Sequence, residues 1–521
     1  MSLIGKFASV GGATMASRAL GFVREAMIAA FLGAGPVADA FYAAFRFPNL
    51  FRRLFAEGAF NAAFVPLFAK EIEGGGQAAA RKFAEQVLAV LVLSLFAISA
   101  LAMIFMPFLV GTVIAPAFAA DPDKFDLTVL LARIMFPYLA AMSLVAMLAG
   151  ILNSLRRYFL AALAPILLNV VLVAGLAAAG YLGLTAPEIG KVLGWSVTLS
   201  GVLQLGLLVW AIRRQGFGLG FVRPRLTPAV RRLLWLALPA AITGGITQIN
   251  LLVGQIIASA ESGAIAIINY ADRLNQLPLG VIGIAIGVVL LPELSRALKA
   301  GDIKEAQYLQ NRSLEFGLAI TLPAAVGLAL LPAPIIALVF ERGAFNRETT
   351  LVTASVLAAF SVGLPAFVLS KIFTPVFYAR EDMRTPLRAS MVSVVINIAG
   401  SLLLFPGLGV TGLAIATSLA GWISALYLGQ QLVARNLFRP AAAALRRIGL
   451  IVIGAALMGA ALWWAGATFR YWLLDASLPV RLAAILATIA VAAVLYFGFA
   501  FATGALDRAE FARLLKRRRK V

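Results

Sequence analysis

The chain has 521 residues, of which 62% are hydrophobic and only 13% are charged, and its formal net charge is +21. Soluble domains contain about 45–50% apolar and about 25% charged residues, so this composition excludes an ordinary soluble protein and indicates a polytopic helical membrane protein. The sequence has no cysteine and no histidine, which excludes disulfides and zinc sites built from Cys and His. No nucleic-acid-binding motif accompanies the positive charge, so no nucleic-acid partner is predicted.

A helix that crosses a membrane needs about 20 mainly apolar residues. On this criterion the sequence predicts an all-α polytopic membrane protein with fourteen transmembrane helices, arranged as two six-helix lobes plus two C-terminal helices. The predicted helices lie near 6–33, 37–69, 84–115, 127–153, 159–183, 188–212, 229–260, 264–294, 313–340, 347–379, 386–406, 410–434, 445–467 and 479–504.

Most of the 44 Lys and Arg residues fall in alternate loops, on one side of these predicted helices. The positive-inside rule makes that side cytoplasmic, and the even number of helices then places both termini in the cytoplasm. The predicted parts are an N-lobe at 1–215, a C-lobe at 216–440, helices 13 and 14 at 441–505, and a basic cytoplasmic tail at 506–521.

The two predicted lobes share an internal repeat with an offset of about 225 residues. The segment 64–70 and the Gly-rich turn after it match the segment 290–296 and the turn at Gly301, and Arg156 falls opposite Arg380. Six helices per repeat keep the same orientation in the membrane. Such repeats are typical of transporters, in which the substrate site lies between the lobes near the membrane midplane.

The first two predicted helices carry more charge than membrane spans ordinarily tolerate. A charge near the centre of a membrane helix costs about 2.5–3.5 kcal/mol, so these side chains are expected to face protein or a water-filled cavity. Pro48 and Gly58 are expected to bend the second helix. The candidate site residues on these two helices are Arg18, Arg24, Glu25, Asp39, Asn49, Arg52, Arg53 and Glu57.

The second lobe adds a polar stripe to this set. Asn269, Arg273 and Gln276 lie on one stripe of the eighth helix, next to Asp272, and Asn250 gives the preceding helix a polar face. A guanidinium presents a fork of donors that matches phosphate oxygens, so the arginines predict a phosphate-bearing substrate.

Internal pairing is the alternative interpretation for some of these charges, because buried charges are normally paired. It applies to Asp39, Arg46, Arg53 and Glu57. It is weaker for the remaining arginines, since the local acids are too few to neutralise all of them. The arginines that we therefore predict to bind substrate are Arg18, Arg24, Arg52 and Arg273.

Five motifs of the sequence resemble those of one family of membrane transporters. They are Ser17-Arg18-x-Leu20-Gly21-Phe22-x-Arg24, Asp39-Ala40-Phe41, Pro48-Asn49-x-x-Arg52-Arg53-x-Phe55-Ala56-Glu57-Gly58, Tyr270-Ala271-Asp272-Arg273-Leu274 and Tyr378-Ala379-Arg380-x-Asp382-x-x-Thr385-Pro386. Together they resemble the MurJ/MviN family of lipid II flippases, which belongs to the multidrug/oligosaccharidyl-lipid/polysaccharide exporter superfamily. The resemblance covers essentially the whole chain.

The resemblance implies transport of lipid II, the undecaprenyl-diphosphate-linked peptidoglycan precursor, from the inner to the outer leaflet of the bacterial cytoplasmic membrane by alternating access. In that family the four selected arginines correspond to cavity arginines needed for function, and Asp39 and Glu57 to important acidic positions. The last two helices resemble those that form a groove for the lipid tail. The partners implied are lipid II, membrane lipids, and proteins of cell-wall synthesis or division. No enzymatic activity is predicted, because no positioned nucleophile, metal cluster or cofactor motif is found.

One departure from the family concerns sodium. Some members bind sodium through acidic residues of the seventh and eleventh helices, but the segments 229–260, 386–406 and 410–434 contain no Asp or Glu. No cofactor is therefore predicted, and sodium coupling is left as an alternative, for which Asn397, Ser401 and Thr417 offer neutral oxygens. Two other functions stay open at this point: export of another lipid-linked oligosaccharide, and a non-transporting membrane scaffold for cell-wall enzymes.

Overall fold

The computed structural model describes residues 3–53, 60–285 and 291–506 of the chain. Almost all of these residues are helical, and no strand occurs among them. The helices are α1 Leu3–Leu32, α2 Pro36–Phe51, α3 Asn61–Ile104, α4 Met106–Leu109, α5 Pro122–Met135, α6 Pro137–Ser154, α7 Tyr158–Tyr181, α8 Ala186–Arg214, α9 Pro228–Ala258, α10 Ala264–Ala285, α11 Leu291–Lys299, α12 Ile303–Leu330, α13 Pro332–Phe340, α14 Arg347–Tyr378, α15 Arg384–Ala434, α16 Ala442–Thr468 and α17 Leu478–Ala502. Short π-helical turns lie at Val110–Ile114 and Tyr471–Asp475, and a 3₁₀ turn at Pro116–Ala120.

Long apolar helices confirm the predicted fold class, an all-α polytopic membrane protein. In the described part of the chain, nine segments are long and apolar enough to cross a membrane. They are Ala63–Ile104, Pro122–Ser154, Tyr158–Tyr181, Ala186–Arg214, Ile303–Leu330, Arg347–Tyr378, Arg384–Ala434, Ala442–Thr468 and Leu478–Ala502. Helical residues lie in every one of the fourteen predicted intervals. The number of helices that cross the membrane stays a prediction.

Several of the helices start at side chains that accept hydrogen bonds from the first turn. Asn346 Oδ1 accepts from the Thr349 N–H at 2.9 Å at the start of α14, and Asp302 Oδ1 accepts from the Glu305 N–H at 2.9 Å at the start of α12. These bonds satisfy backbone donors that have no partner inside the helix. Asn and Asp thus fix where these two apolar helices begin.

Two glycines break long helices at points where the sequence predicts turns. Gly76 (φ 69°) interrupts α3, and Gly409 (φ 54°) interrupts α15 between the helices predicted at 386–406 and 410–434. Only glycine adopts such positive φ values without steric penalty, so each break is set by its residue type. Gly301 (φ 73°) also has a positive φ, about 225 residues further along the chain than Gly76.

The same offset relates two turns that contain no glycine. Arg156 (φ 61°) follows α6 and Glu381 (φ 62°) follows α14. The next N–H of each turn donates back to the helix, from Arg157 to the Leu152 carbonyl at 2.8 Å and from Asp382 to the Phe377 carbonyl at 3.0 Å. Both turns have the hydrogen bond of a Schellman motif. The internal repeat read from the sequence is therefore present in the backbone.

The chain forms two compact units, Met1–Ala266 and Ile267–Val521. Unit 1 includes α9, which packs against α3. The lobes predicted at 1–215 and 216–440 were delimited by their repeats, and those boundaries stay a prediction. Most of the predicted basic tail, from residue 507 onwards, lies outside the described residues.

Within unit 1, the connector between α8 and α9 (residues 215–227) is bound to the middle of α3. The Gly220 N–H donates to Glu85 Oε1 at 2.8 Å, and Thr227 Oγ1 donates to Gln86 Oε1 at 2.9 Å. Arg81 Nε donates to the carbonyl of Gly218. Because the connector leads directly into α9, these bonds attach the start of α9 to α3.

Within unit 2, α16 and α17 pack on α12 and α13. Their shared core contains Leu331, Met458, Leu473 and Tyr496, all nearly inaccessible. The Tyr496 hydroxyl donates to the Ala319 carbonyl at 2.8 Å. The last two helices are thus part of this unit, whereas their predicted role as a groove for a lipid tail stays a prediction.

Candidate functional site

Arg24 lies in a buried polar network that joins α1 to α7. Its side chain is 7% exposed, and Nη1 donates to Asn169 Oδ1 at 2.9 Å. Nη2 is paired with the carboxylate of Glu25, which also accepts from the Tyr42 hydroxyl. Asn169 Nδ2 completes the network by donating to the Ser17 carbonyl at 2.9 Å. Arg24 is therefore held in place from two sides.

Sequence reasoning missed Asn169 and Tyr42 as partners of this network. The only local signal for Asn169 is a single amide in the otherwise apolar helix α7. An amide in such a helix is expected to find a partner on a neighbouring helix.

Arg18 stands apart from this network although it lies on the same helix. Its side chain is exposed, and it makes no hydrogen bond or ion pair with any residue that the structure describes. Arg18 and Glu25 are seven positions apart, so they lie on one face of α1. One end of this face therefore carries an exposed cation, Arg18, and the other end carries the buried, paired cluster of Glu25.

The end of α2 carries the next predicted site residues. Arg52 is half-buried, and its Nε donates to Asn49 Oδ1 at 2.8 Å, one turn earlier. Arg53 is exposed. Pro48 lies inside α2, as predicted. Glu57, four positions from Arg53 and so a candidate for internal pairing with it, lies outside the described residues.

Asp39 is fully buried and satisfied by three donors within unit 1. Its carboxylate accepts from Lys124 Nζ at 2.8 Å, from the Gly263 N–H at 2.7 Å and from the Ala266 N–H at 3.0 Å. The two N–H groups belong to the start of α10, where the helix dipole also favours a negative charge. The Lys124 ammonium lies 3.9 Å from the centroid of the Phe118 ring. Asp39 therefore has the structural environment that internal pairing predicts.

Lys124 was missed as a partner of Asp39, since the sequence places it in an outer loop. The two residues are 85 positions apart, and neither α2 nor α5 has a local pattern that indicates the contact. Lys124 lies in the first turn of α5. The start of that helix is fixed by Asp121, whose Oδ1 accepts from the Lys124 N–H at 3.2 Å.

The remaining predicted residues lie on α9 and α10. Asn250 is half-buried on α9 in unit 1, and Asn269, Asp272 and Arg273 are half-buried on α10 in unit 2. The carboxylate of Asp272 accepts from the Gln276 side chain. Joint binding of one ligand by Arg273 and the arginines of unit 1 stays a prediction.

Tyr270 fixes α10 next to these residues. Its ring is fully buried and lies 5.3 Å from the Phe340 ring and 5.4 Å from the Phe345 ring, between centroids. Aromatic pairs at such distances are favourable beyond the burial of their area. The aromatic cluster therefore fixes the rotation of α10 about its axis, and with it the side to which the polar stripe of this helix points.

Groups of three or more acidic, His or Cys residues that could hold a metal ion are not found in the described ranges. In α15, Thr417 Oγ1 donates to Asn397 Oδ1 at 3.1 Å, so the two neutral side chains bind each other. Coupling to sodium is not tested by these contacts, and the absence of a cofactor stays a prediction.

Comparisons with known proteins agree over nearly the whole chain. The family model described as "Lipid II flippase MurJ" matches residues 28–483. The probable lipid II flippase MurJ of Rhizobium meliloti (strain 1021) is 54% identical, with 99% of this chain and 97% of that protein covered. The lipid II flippase MurJ of Burkholderia cenocepacia is 33% identical, with 97% and 98% covered.

Solved structures show the same fold. A lipid II flippase MurJ in an inward closed conformation has a TM-score of 0.76 at 26% identity, with 94% of this chain and 98% of that chain covered. An inward-facing multidrug resistance transporter of the MATE family has a TM-score of 0.66 at 16% identity, with 81% and 95% covered. The second likeness shows the fold alone.

Proposed function

This chain belongs to the MurJ family of lipid II flippases, and we propose that it moves lipid II from the inner to the outer leaflet of the cytoplasmic membrane by alternating access. The family assignment confirms the resemblance found in the sequence motifs. It places the protein among the multi-pass inner-membrane transporters that serve peptidoglycan biosynthesis and cell-wall biogenesis.

The observation that supports binding of the diphosphate is the open guanidinium of Arg18. It is exposed on α1, and the described residues provide it with no acidic partner. A guanidinium in such a position can offer two parallel N–H donors to phosphate oxygens. We assign Arg18 and Arg52 to direct contact with the diphosphate, and Arg273 to the same role from unit 2.

Arg24 has a different part in this proposal. Both of its terminal nitrogens are engaged, one with Asn169 and one with Glu25. Its side chain is also buried, so direct contact with substrate requires a rearrangement that exposes it. In the present arrangement Arg24 fixes α1 against α7, and Glu25 balances its charge.

Other parts of the proposal rest on the sequence. Both termini are assigned to the cytoplasm because the basic loops lie on that side. The protein acts as a transporter without enzymatic activity. Proteins of cell-wall synthesis or division are proposed as further partners.

The test is complementation of a bacterium depleted of its native flippase. Arg18→Ala and Arg52→Ala are expected to express but to fail to restore lipid II in the outer leaflet, whereas Arg225→Ala restores it. Arg225 is the matched control, since it is an exposed arginine of the connector at 215–227. Normal complementation by both Arg18→Ala and Arg52→Ala, at equal protein levels, contradicts the diphosphate contacts.

A further inference from the structure

An apolar groove runs along the outside of unit 1 between α3 and α6. We call it the α3/α6 groove. Its walls include Val92, Leu95, Ser99 and Met103 of α3, with Pro137 and Leu144 of α6. The cavity volume is about 530 Å³, within the range of about 300–1,000 Å³ that is usual for sites of small ligands.

The groove opens on the outer surface of the membrane-spanning helices. Both walls belong to segments that are long and apolar enough to cross a membrane. Phe96, which also lines the groove, is 72% exposed. From Val92 to Ile104 the groove follows α3 for about 18 Å at 1.5 Å per residue. An elongated apolar ligand that enters from the membrane therefore fits it.

One polar atom inside the groove lacks a partner. Ser99 is 8% exposed, and its Oγ makes no hydrogen bond with any described residue. A buried hydroxyl without a partner is destabilising, so a ligand that brings an acceptor to this position is favoured. The ester carbonyl of a phospholipid is such an acceptor.

A cation lies at the end of the groove nearest to the end of α3. Arg133 of α5 is exposed, and its Nε donates to the carbonyl of Met103 at 3.0 Å. That bond orients the guanidinium, while the two Nη groups bind no other residue of the described part. The Nη groups are the donors that suit phosphate oxygens.

We propose that the α3/α6 groove is a binding site for an anionic phospholipid. The phosphate binds Arg133 beside Met103, and the Ser99 side chain rotates towards the groove so that its hydroxyl donates to the ester carbonyl, one helical turn or about 6 Å further along α3. The acyl chain then lies on Leu95 and Val92. This order of cation, hydroxyl and apolar wall matches the order of phosphate, ester and chain in a phospholipid. The site is distinct from the proposed diphosphate contacts, because it shares no residue with them.

The test is native mass spectrometry of the full chain, released from detergent with phosphatidylglycerol and phosphatidylcholine of identical acyl chains. The unaltered protein is expected to retain phosphatidylglycerol in preference. Arg133→Gln lowers that preference by about fivefold, the effect of one basic side chain near an anionic lipid. The control is Arg342→Gln, which removes an exposed arginine of unit 2 that also donates to backbone carbonyls, those of Leu338 and Val339.

A second pair of variants tests the position of the chain. Ala140→Trp fills the groove and is expected to abolish retention of both phospholipids at this site. Ala97→Trp adds the same ring to an exposed position of α3 outside the groove and is expected to leave retention unchanged.

Three results overturn the proposal. The first is equal retention by Ala140→Trp and Ala97→Trp, and the second is an unchanged preference in Arg133→Gln. The third is displacement of the bound phospholipid by a polyprenyl diphosphate at equimolar concentration, since the occupant would then be a polyprenyl lipid.

Discussion

Asp39 and Arg18 lie in the same charged stretch of the chain but have opposite environments. Asp39 is fully buried, and Lys124 and two backbone N–H groups satisfy it. Arg18 is exposed and has no partner in the part of the chain that the structure describes. Charge in a membrane span therefore has two uses. A paired charge joins helices, whereas an open charge is available to a ligand.

The strongest test of this contrast is Asp39→Asn. The change leaves Lys124 buried without its counter-charge, which typically costs about 3–5 kcal/mol. We expect a large fall in the melting temperature in detergent, and partial recovery in the double variant Asp39→Asn/Lys124→Met. The matched control is Asp126→Asn, at an exposed acid of α5. If Asp39→Asn and Asp126→Asn have the same melting temperature, the ion pair of Asp39 with Lys124 does not stabilise the protein.

Arg18→Ala tests the other side of the contrast. Because Arg18 joins no internal network, the melting temperature is expected to stay unchanged. Binding of lipid II is expected to weaken by about 10–100-fold, since a hydrogen bond to a charged group is worth about 1.5–3 kcal/mol. Titration of the purified protein with lipid II measures the effect. A destabilised variant with normal affinity would reverse the roles assigned to Arg18 and Asp39.

Asn169→Ala tests the intermediate case, the paired Arg24. The variant removes the acceptor of Nη1 and the donor to Ser17. A buried group without its partner costs about 1–3 kcal/mol, so a moderate fall in melting temperature is expected. Asn169→Asp keeps an acceptor for Arg24, so its melting temperature is expected to fall less than that of Asn169→Ala. Equal melting of Asn169→Ala and the unaltered protein would show that α1 is held to α7 without this network.

The smallest expected effect concerns Asp382, in the turn before α15. The Thr385 hydroxyl, which donates to Asp382, holds the pKa of this carboxyl below its ordinary value. A lowered pKa means that the stabilisation is present above the ordinary value of about 4 and is lost as the pH falls below it. Asp382→Asn keeps an oxygen that caps the helix but removes its charge, so it should lower the free energy of unfolding at pH 7 by about 0.3–1 kcal/mol, and the difference should close in acid. Glu381→Gln, at the exposed neighbouring acid, is the control and should show no such pH dependence.

Local sequence patterns predicted the helical fold, the breaks and the repeat, because they depend on short segments. The breaks at Gly76 and Gly409 are examples, since residue type alone allows their positive φ. The partners within the charged stretch could not be predicted in the same way. Asn169 lies 145 positions from Arg24, and Lys124 lies 85 from Asp39. Such contacts depend on which helix faces meet, and apolar helices carry no local signal for that choice.

The hydrogen-bonded connector at 215–227 has a consequence for the transport cycle. A segment between two repeats is the natural place for a hinge, but this one is bound to α3 at Gly218, Gly220 and Thr227. These hydrogen bonds make α9 move together with α3. The backbone rotations of a rocking transporter therefore have to occur outside this connector.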